Sequence, residues 1–380
     1  MTTLQPPRPP SPSCCLDGRD SAGRPLRLAA SSPTMTWRSP ALAGLPLRDA
    51  FAQLAQLPDG LLVGVLPYPS PHPDPGATPA SLYLFDRYQQ QDPAAAGPAT
   101  GEFRLTRPFR ADQPAGSYVA GVRRVQQYLA AGDAYQVNLA QRFSAGCEGD
   151  PRRAFEALRA QFRPPFAAYV DMGDRQLLSL SPESFLEVEG RAVITRPIKG
   201  TRPRHADPAT DRALAEDLRN HPKDRAENLM IVDLLRNDLG KVCVPGSVRV
   251  PALFEVESFP NVHHLVSRVS GTLAPGMDLA DLLLAAFPGG SITGAPKRRA
   301  MEIIAELEPG PRDVYCGSIF WALADGRFGS NIAIRTFVVR DGSIHGWAGA
   351  GIVADSVAEA EDEECRHKLQ PLMHALEALG

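Results

Sequence analysis

What this chain lacks sets the first limits. No uninterrupted apolar run is long enough to span a bilayer. The formal net charge is only −3, so there is no basic field for nucleic acid or an acidic membrane surface. The six cysteines, Cys14, Cys15, Cys147, Cys243, Cys316 and Cys365, show no metal-type spacing, and no secretion signal precedes them. Reduced thiols in a cytoplasmic protein are the simple expectation. No P-loop, dinucleotide fingerprint or internal repeat is present, which argues against nucleotide binding and a solenoid.

What is present suits a folded protein with a sizeable core: 43% of the 380 residues are hydrophobic and 22% charged. Residues 1–40 carry eight prolines and little periodicity, so disorder is expected there, with Met35 as an alternative start. Residues 41–111 read as a short helix around Phe51 and Leu54, a strand Leu61–Leu66, a proline-rich link, a strand Ser81–Phe85 and a loop over 91–100. Beyond residue 112 the texture becomes regular. Ser117 is placed to cap a helix with apolar positions at Val119, Val122, Val125 and Leu129. Strands are expected at Tyr135–Phe143 and between Phe166 and Ile198. Helices are expected at 151–162, 207–219, 222–237, 277–287 and 295–307. Val314–Val353 reads as strands with turns at Asp325-Gly326 and Asp341-Gly342. Ser356 and Glu359 suggest a capping box for a last helix. Strands in runs and helices in runs indicate an α+β protein with antiparallel sheets.

Lys199 is the focus of the chemistry. Alternating apolar residues lead into Arg196-Pro-Ile-Lys-Gly-Thr201. A lysine at a strand end beside glycine can be held over a cleft, and a desolvated amine becomes a nucleophile. Asp224 with Glu227, and Glu361 with Glu364, are i, i+3 pairs on helix faces. Two such helices facing each other would offer four hard oxygen ligands, which suits Mg2+. Glu183, just past Pro182, is a candidate general acid with a raised pKa. One of His263 and His264 is placed to touch substrate; neighbours on a strand point apart, so the pair would not share a metal. Arg335 lies in an alternating run and suits a bidentate carboxylate contact. Gly349–Gly351 and Pro288–Pro296 are glycine-rich stretches able to present N–H groups to an anion.

These segments together resemble the chorismate-utilising enzyme family. The likeness runs from about Ser117 to the C-terminus. It is carried by Tyr135–Leu139, Ser179–Glu183, Arg196–Thr201, Asp224–Gly240, His264–Arg268, Phe287–Ile304, Ile334–Thr336 and Ala348–Val353. The resemblance implies a large α/β sandwich of two mainly antiparallel sheets with outer helices and a central cleft. It divides the chain into a 1–40 tail, a shortened 41–111 region packed on the main domain, and a 112–380 catalytic domain that binds chorismate. It implies that Glu227 and Glu364 bind magnesium directly, with Asp224 and Glu361 acting through its water. Gly200 and Thr201 would line the ring site. Tyr315, Arg335 and the backbone of Gly349, Ala350 and Gly351 would hold the enolpyruvyl side. Lys368 would meet a carboxylate, and Glu183 would protonate the departing 4-hydroxyl. His264 joins Lys199 and Glu183 as a catalytic candidate.

Within the family, Lys199 resembles the aminodeoxychorismate synthase branch, where the lysine is thought to add to the ring; anthranilate synthases have a small residue there. Gln136 agrees, because isochorismate- and salicylate-forming relatives carry a lysine base at that position. The implied reaction makes 4-amino-4-deoxychorismate from chorismate and ammonia, toward 4-aminobenzoate and folate. The chain shows no glutaminase-like segment and no fused lyase, so a separate glutamine amidotransferase is the expected ammonia source. Anthranilate synthesis and a non-catalytic chorismate-binding subunit are the alternatives. Cys316, Phe320 and Trp321 depart from the family pattern around Tyr315, as does the proline-rich N-terminal region.

Overall fold

The computed structural model describes residues 12–19, 24–70, 76–92, 101–259 and 262–379. The chain opens with strands β1 (Ser13–Arg19), β2 (Pro25–Ser31) and β3 (Met35–Ser39). Helix α1 (Leu47–Leu54) leads to β4 (Leu61–Leu66), β5 (Ala80–Phe85), β6 (Gln89–Gln91) and β7 (Phe103–Ala111). Next come α2 (Ser117–Ala130), the long β8 (Gln136–Gly149) and α3 (Pro151–Phe162). Five strands follow: β9 (Phe166–Asp171), β10 (Gln176–Ser181), β11 (Ser184–Glu189), β12 (Ala192–Thr195) and β13 (Ile198–Pro203). Helices α4 (Pro208–Asn220) and α5 (Pro222–Gly240) precede the hairpin β14 (Arg249–Ser258) and β15 (Val262–Thr272). Then come α6 (Leu279–Ala286), the short β16 (Gly294–Ala295) and α7 (Lys297–Leu307). Strands β17 (Ser318–Leu323), β18 (Phe328–Asn331), β19 (Thr336–Arg340) and β20 (Ser343–Ile352) and helix α8 (Ala358–Glu377) finish the fold.

Among the described residues the strands form two ten-stranded antiparallel sheets. The first runs β16-β8-β20-β19-β10-β9-β1-β2-β6, with β7 also on β8. The second runs β13-β15-β12-β11-β18-β17-β4-β5-β3, with β14 also on β15. Helices α2, α3, α7 and α8 pack on strands of the first sheet, and α1, α4 and α5 on strands of the second. Inner strands such as β4, Leu-Leu-Val-Gly-Val-Leu, are buried along their whole length and read as continuous apolar runs. The expected α+β sandwich with outer helices is the observed fold.

Several local expectations change. Disorder over 1–40 is corrected: β1 sits inside the first sheet between β9 and β2, and β3 closes one edge of the second; residues 1–11 and 20–23 lie outside the described residues. Proline-rich texture hid these strands because their stability comes from partners far along the chain. Structurally, no boundary falls at 111/112, since both sheets mix strands from either side of it. The middle of the proline link (71–75) and most of the 91–100 loop lie outside the described residues. Ser117 is the first residue of α2 rather than its cap, which is Gly116 in a left-handed conformation. Ser356 does not cap α8 either: Val357 takes that position, and the Ser356 hydroxyl turns inward to Glu361 at 2.6 Å.

β1 is held by a buried ion network. Arg27 pairs with Glu156 of α3, and Arg159 reaches Asp17 at 2.5 Å. Removing residues 1–34 would strip β1 and β2 from one end of the first sheet and expose the edge of β9. Such a chain is expected to lose its cooperative thermal transition in a circular-dichroism melt; an unchanged midpoint would show those strands to be dispensable.

Candidate active site

Two chain segments change sheets side by side. Between β10 of the first sheet and β11 of the second lie only Pro182 and Glu183; residues 332–335 make the return from β18 to β19. The crossings are laced together. The Ile332 N–H donates to the Glu183 carbonyl at 3.1 Å, and the Leu180 N–H to the Arg335 carbonyl at 3.0 Å. The Ser181 hydroxyl donates to the Ile332 carbonyl at 2.6 Å. Arg335 is therefore not on a regular strand, as its alternating neighbours suggested; it turns the corner with φ +50°, a conformation costly enough to need such support. Among the described residues its guanidinium has no hydrogen bond or ion pair. Surrounding protein holds its pKa down, and its charge is felt at His264.

Glu183 is 6% exposed. Burial pushes its pKa up to about 7, against the opposing pull of the Ser291 hydroxyl, the Lys199 charge and the Ile198 N–H. The Ser291 Oγ donates to its Oε1 at 2.9 Å. Lys199, half-buried on β13, donates from Nζ to the Ser291 carbonyl at 3.2 Å. Burial lowers the Lys199 pKa, and Lys368 lowers it further; the charges of Glu227, Glu183 and Glu364 act the other way. The amine thus lies within electrostatic reach of the acid candidate and of one carboxylate from each acidic helix. Ser291 was not singled out from the sequence, where it was only part of a glycine-rich loop.

Gly200 has φ +80°, and a Cβ there would stand 2.8 Å from Asp224 Cγ and Leu218 Cδ1. Only glycine lets β13 lie this close to α5. Thr201 pairs across the ladder with His264, and its hydroxyl lies 2.9 Å from the His264 Nδ1. Burial, then the charge of Arg335, pushes His264 down to about 4, so its ring is neutral near pH 7. His263 faces the other way, to Ser258 and Asp211. Gln136 is fully buried, neither polar atom of its amide has a partner among the described residues, and it packs against Gly351. An amide left orphaned in this way marks a site for a polar ligand group. Gly349–Gly351 lie in β20 rather than in a loop. β19 pairs only as far as Gly346, so from Trp347 to Ile352 β20 has β8 on one side and an open backbone edge on the other. Tyr315 is buried and stacked on Trp347.

The four acids do not converge as one cluster. The Asp224 carboxylate is taken by Arg202 and His221, both at 3.1 Å. Glu361 is buried on Ser356. Glu364 pairs with Lys368 at 2.8 Å, and Lys368 also donates to the Gly349 carbonyl at 3.1 Å. Burial works to raise the Glu364 pKa, but Lys368, Lys223 and Lys199 outweigh it and hold it low. Glu227 has no hydrogen bond or ion pair among the described residues, and burial raises its pKa. Among the described residues, no three His, Cys, Asp or Glu side chains are grouped to hold a metal. Of the four acids, Asp224 and Glu361 are engaged by protein partners, and Glu227 is left without one among the described residues. Glu227 and Glu364 both lie near Lys199 and Lys223, and the orphaned Glu227 carboxylate is a donor of the kind a hard cation takes.

A cavity of about 350 Å³ lies elsewhere. It lies between the sheets, where Leu16, Phe166, Ile319, Trp321 and Phe328 line it.

Residues 79–374 match the sequence pattern of chorismate binding enzymes. The chain belongs to this family. It is 52% identical over 280 residues to aminodeoxychorismate synthase component 1 of Salmonella typhimurium, covering 74% of this chain and 62% of that one. It is 47% identical over 284 residues to anthranilate synthase component 1 of Streptomyces coelicolor, covering 74% and 55%. The chain thus spans less than two thirds of the length of these relatives. The fold is similar to that of anthranilate synthase component I from Streptococcus pneumoniae (TM-score 0.76, 27% identity, 98% and 94% covered). A putative 2,3-dihydroxybenzoate-specific isochorismate synthase from Bacillus anthracis shares the fold (TM-score 0.80, 24% identity, 97% of both chains). No helix among the described residues is long and apolar enough to cross a membrane, and all six cysteines are free and buried.

In this family member, competitive labelling of the lysines with a small acylating reagent across pH should give Lys199 a midpoint below the ordinary lysine value. The neutral fraction of Lys199 at any given pH is then larger than that of an ordinary exposed lysine. A Lys199 midpoint at or above that value would contradict the electrostatics described.

Proposed function

We propose that this protein is an aminodeoxychorismate synthase, converting chorismate and ammonia to 4-amino-4-deoxychorismate and water. The observation that carries the reading is the Lys199 amine, its pKa lowered, beside a carboxyl whose pKa stands at about 7. A neutral amine is the form that attacks, and a neutral carboxyl is the form that gives a proton. In the first step the Lys199 nitrogen forms a bond to C2 of the ring as the ring electrons shift and the C4–O bond breaks. The 4-hydroxyl leaves as water with the Glu183 proton, and the lysine nitrogen, now bonded to C2, keeps both its protons as a secondary ammonium. In the second step ammonia bonds to C4, the electrons shift back, the C2–N bond breaks to release the neutral lysine amine, and the surplus proton of the added ammonia returns to the Glu183 carboxylate. Arg335, the open edge of β20 at Gly349, Ala350 and Gly351, and Tyr315 suit the enolpyruvyl side. Gly200, Thr201 and neutral His264 line the ring, and the orphaned Gln136 amide supplies a polar contact. Gln136 is no base, so water is not activated as the nucleophile there.

Mg2+ fits the hard oxygen donors. Glu227 and Glu364 would hold it, with Asp224 and Glu361 acting through water, and Lys368 would swing from Glu364 to a substrate carboxylate. Bound there, the metal supplies positive charge for the ring carboxylate. The ammonia is taken to come from a separate glutamine amidotransferase, in a cytoplasmic setting with reduced thiols. Anthranilate synthesis is the less favoured reading because a lysine, not a small residue, stands at 199.

Purified chain given chorismate, ammonium and magnesium is expected to form a product that yields 4-aminobenzoate only when a lyase is added. Direct appearance of fluorescent anthranilate would overturn the assignment. Glu183→Gln should lower kcat about 10²–10⁴-fold, and Lys199→Ala should lose most amination while chorismate still binds. The wild-type rate should fall as pH rises through about 7, since the acid is then deprotonated. Chelation of magnesium, or Glu227→Gln, should weaken chorismate binding as measured by calorimetry; unchanged affinity in both would remove the metal from the account.

A further inference from the structure

One residue outside the sequence-derived site touches both reacting groups. Ser291 sits in a short 3₁₀ turn, Gly290–Ile292. Its hydroxyl donates to Glu183 Oε1 at 2.9 Å, and its carbonyl accepts from Lys199 Nζ at 3.2 Å. We propose that Ser291 is a positioning residue that couples the acid to the nucleophile: its hydroxyl selects the oxygen of Glu183 that carries the proton, and its carbonyl aims the Lys199 amine. This rests on the amination reading above.

The turn is built so that Ser291 cannot swing away. A Cβ on Gly290 would lie 1.8 Å from Leu234 Cδ2, so the backbone is pressed onto α5. The Thr293 hydroxyl closes the turn on the Gly289 carbonyl at 2.8 Å, and the Asn138 N–H holds the Thr293 carbonyl at 3.0 Å. Arg312, 2% exposed, donates to the Ile292 carbonyl at 2.9 Å and to the Asn138 carbonyl, while Glu308 holds the guanidinium. One buried cation therefore ties the Ser291 turn to the strand that carries Gln136.

The two contacts have separate consequences. A neutral carboxyl has its proton on one oxygen. Donation to Oε1 leaves that proton on Oε2, so the acid presents one defined atom. Lys199 gives an N–H to the Ser291 carbonyl in either protonation state, so a neutral amine is left with its lone pair turned away from that carbonyl. With both groups bonded to a clamped residue, their separation is fixed before substrate arrives, which is the kind of preorganisation that lowers a barrier. The titratable groups that face Glu183 are Lys199 from β13 and, further off, Cys316 from the segment before β17; the Ile198 N–H also donates to it.

Ser291→Ala removes the hydroxyl and keeps the carbonyl. The lost bond favours the carboxylate, so its loss raises the Glu183 midpoint. The alkaline limb of kcat/KM is expected to move up by about one pH unit, the worth of one charge-assisted hydrogen bond. On the low-pH plateau kcat should fall about tenfold, a fraction of what a positioned acid supplies, with the KM for chorismate within about twofold. Ser291→Thr, which keeps a hydroxyl, should return the limb to its wild-type position. An infrared titration of the Glu183 carboxyl band, identified by its loss in Glu183→Gln, needs no turnover and should show the same upward shift in Ser291→Ala. A Glu183 midpoint unmoved in Ser291→Ala would overturn the proposal. A shifted midpoint in a protein that forms no aminated product would uphold the Ser291–Glu183 link and overturn the amination reading instead.

Discussion

An ammonium group packed among protein atoms loses hydration, and the loss must be met by opposite charge or by release of its proton. Lys199 stands on that balance. Burial and the charge of Lys368 work toward the neutral amine, and Glu183, Glu227 and Glu364 work toward the ammonium. The surrounding acids come from three separate parts of the chain. Glu183 lies on a crossing between sheets, Glu227 on α5 and Glu364 on α8. The neutral fraction of the amine is thus larger than for an ordinary exposed lysine. Glu183 reaches a matching state by the opposite route, since burial disfavours its charged form. The two environments thus push the pKa values of the acid and the amine toward each other.

The architecture explains how these parts meet. Two sheets stacked face to face would ordinarily keep their strands apart. Here β10 passes to β11, and β18 back to β19, through short segments hydrogen-bonded to one another. Those segments carry Glu183 and Arg335. β13 brings Lys199 along the edge of the second sheet, close to α5 because Gly200 has no side chain. β20 continues beyond its neighbour β19 and leaves an open edge. The gathering of these side chains is therefore a product of topology, and they occupy places the sheets provide.

Much of this was legible in the sequence. The i, i+3 spacing of Glu361 and Glu364 placed them on one face of a helix, and the strand-glycine setting of Lys199 pointed to a cleft. What sequence could not show were partners distant along the chain. Spacing puts Asp224 on the right helix but is silent on Arg202, which claims its carboxylate. Ser356 reads as a cap until Glu361 is seen to take its hydroxyl. β1 lacks an alternating pattern and is held by β9 and by Arg27 and Arg159. Ser291 has no local signal at all, because both of its contacts are long-range, with Glu183 and Lys199.

The central claim is that the Lys199 nitrogen forms a bond to the ring during turnover. Rapid-quench mass spectrometry of the protein mixed with chorismate and magnesium, without ammonium, tests this directly. The account predicts a transient adduct with the mass of chorismate less one water, mapped to the peptide containing Lys199 and absent in Lys199→Ala. Amination at wild-type speed with no such adduct at any time, or an adduct that persists in Lys199→Ala, would contradict it.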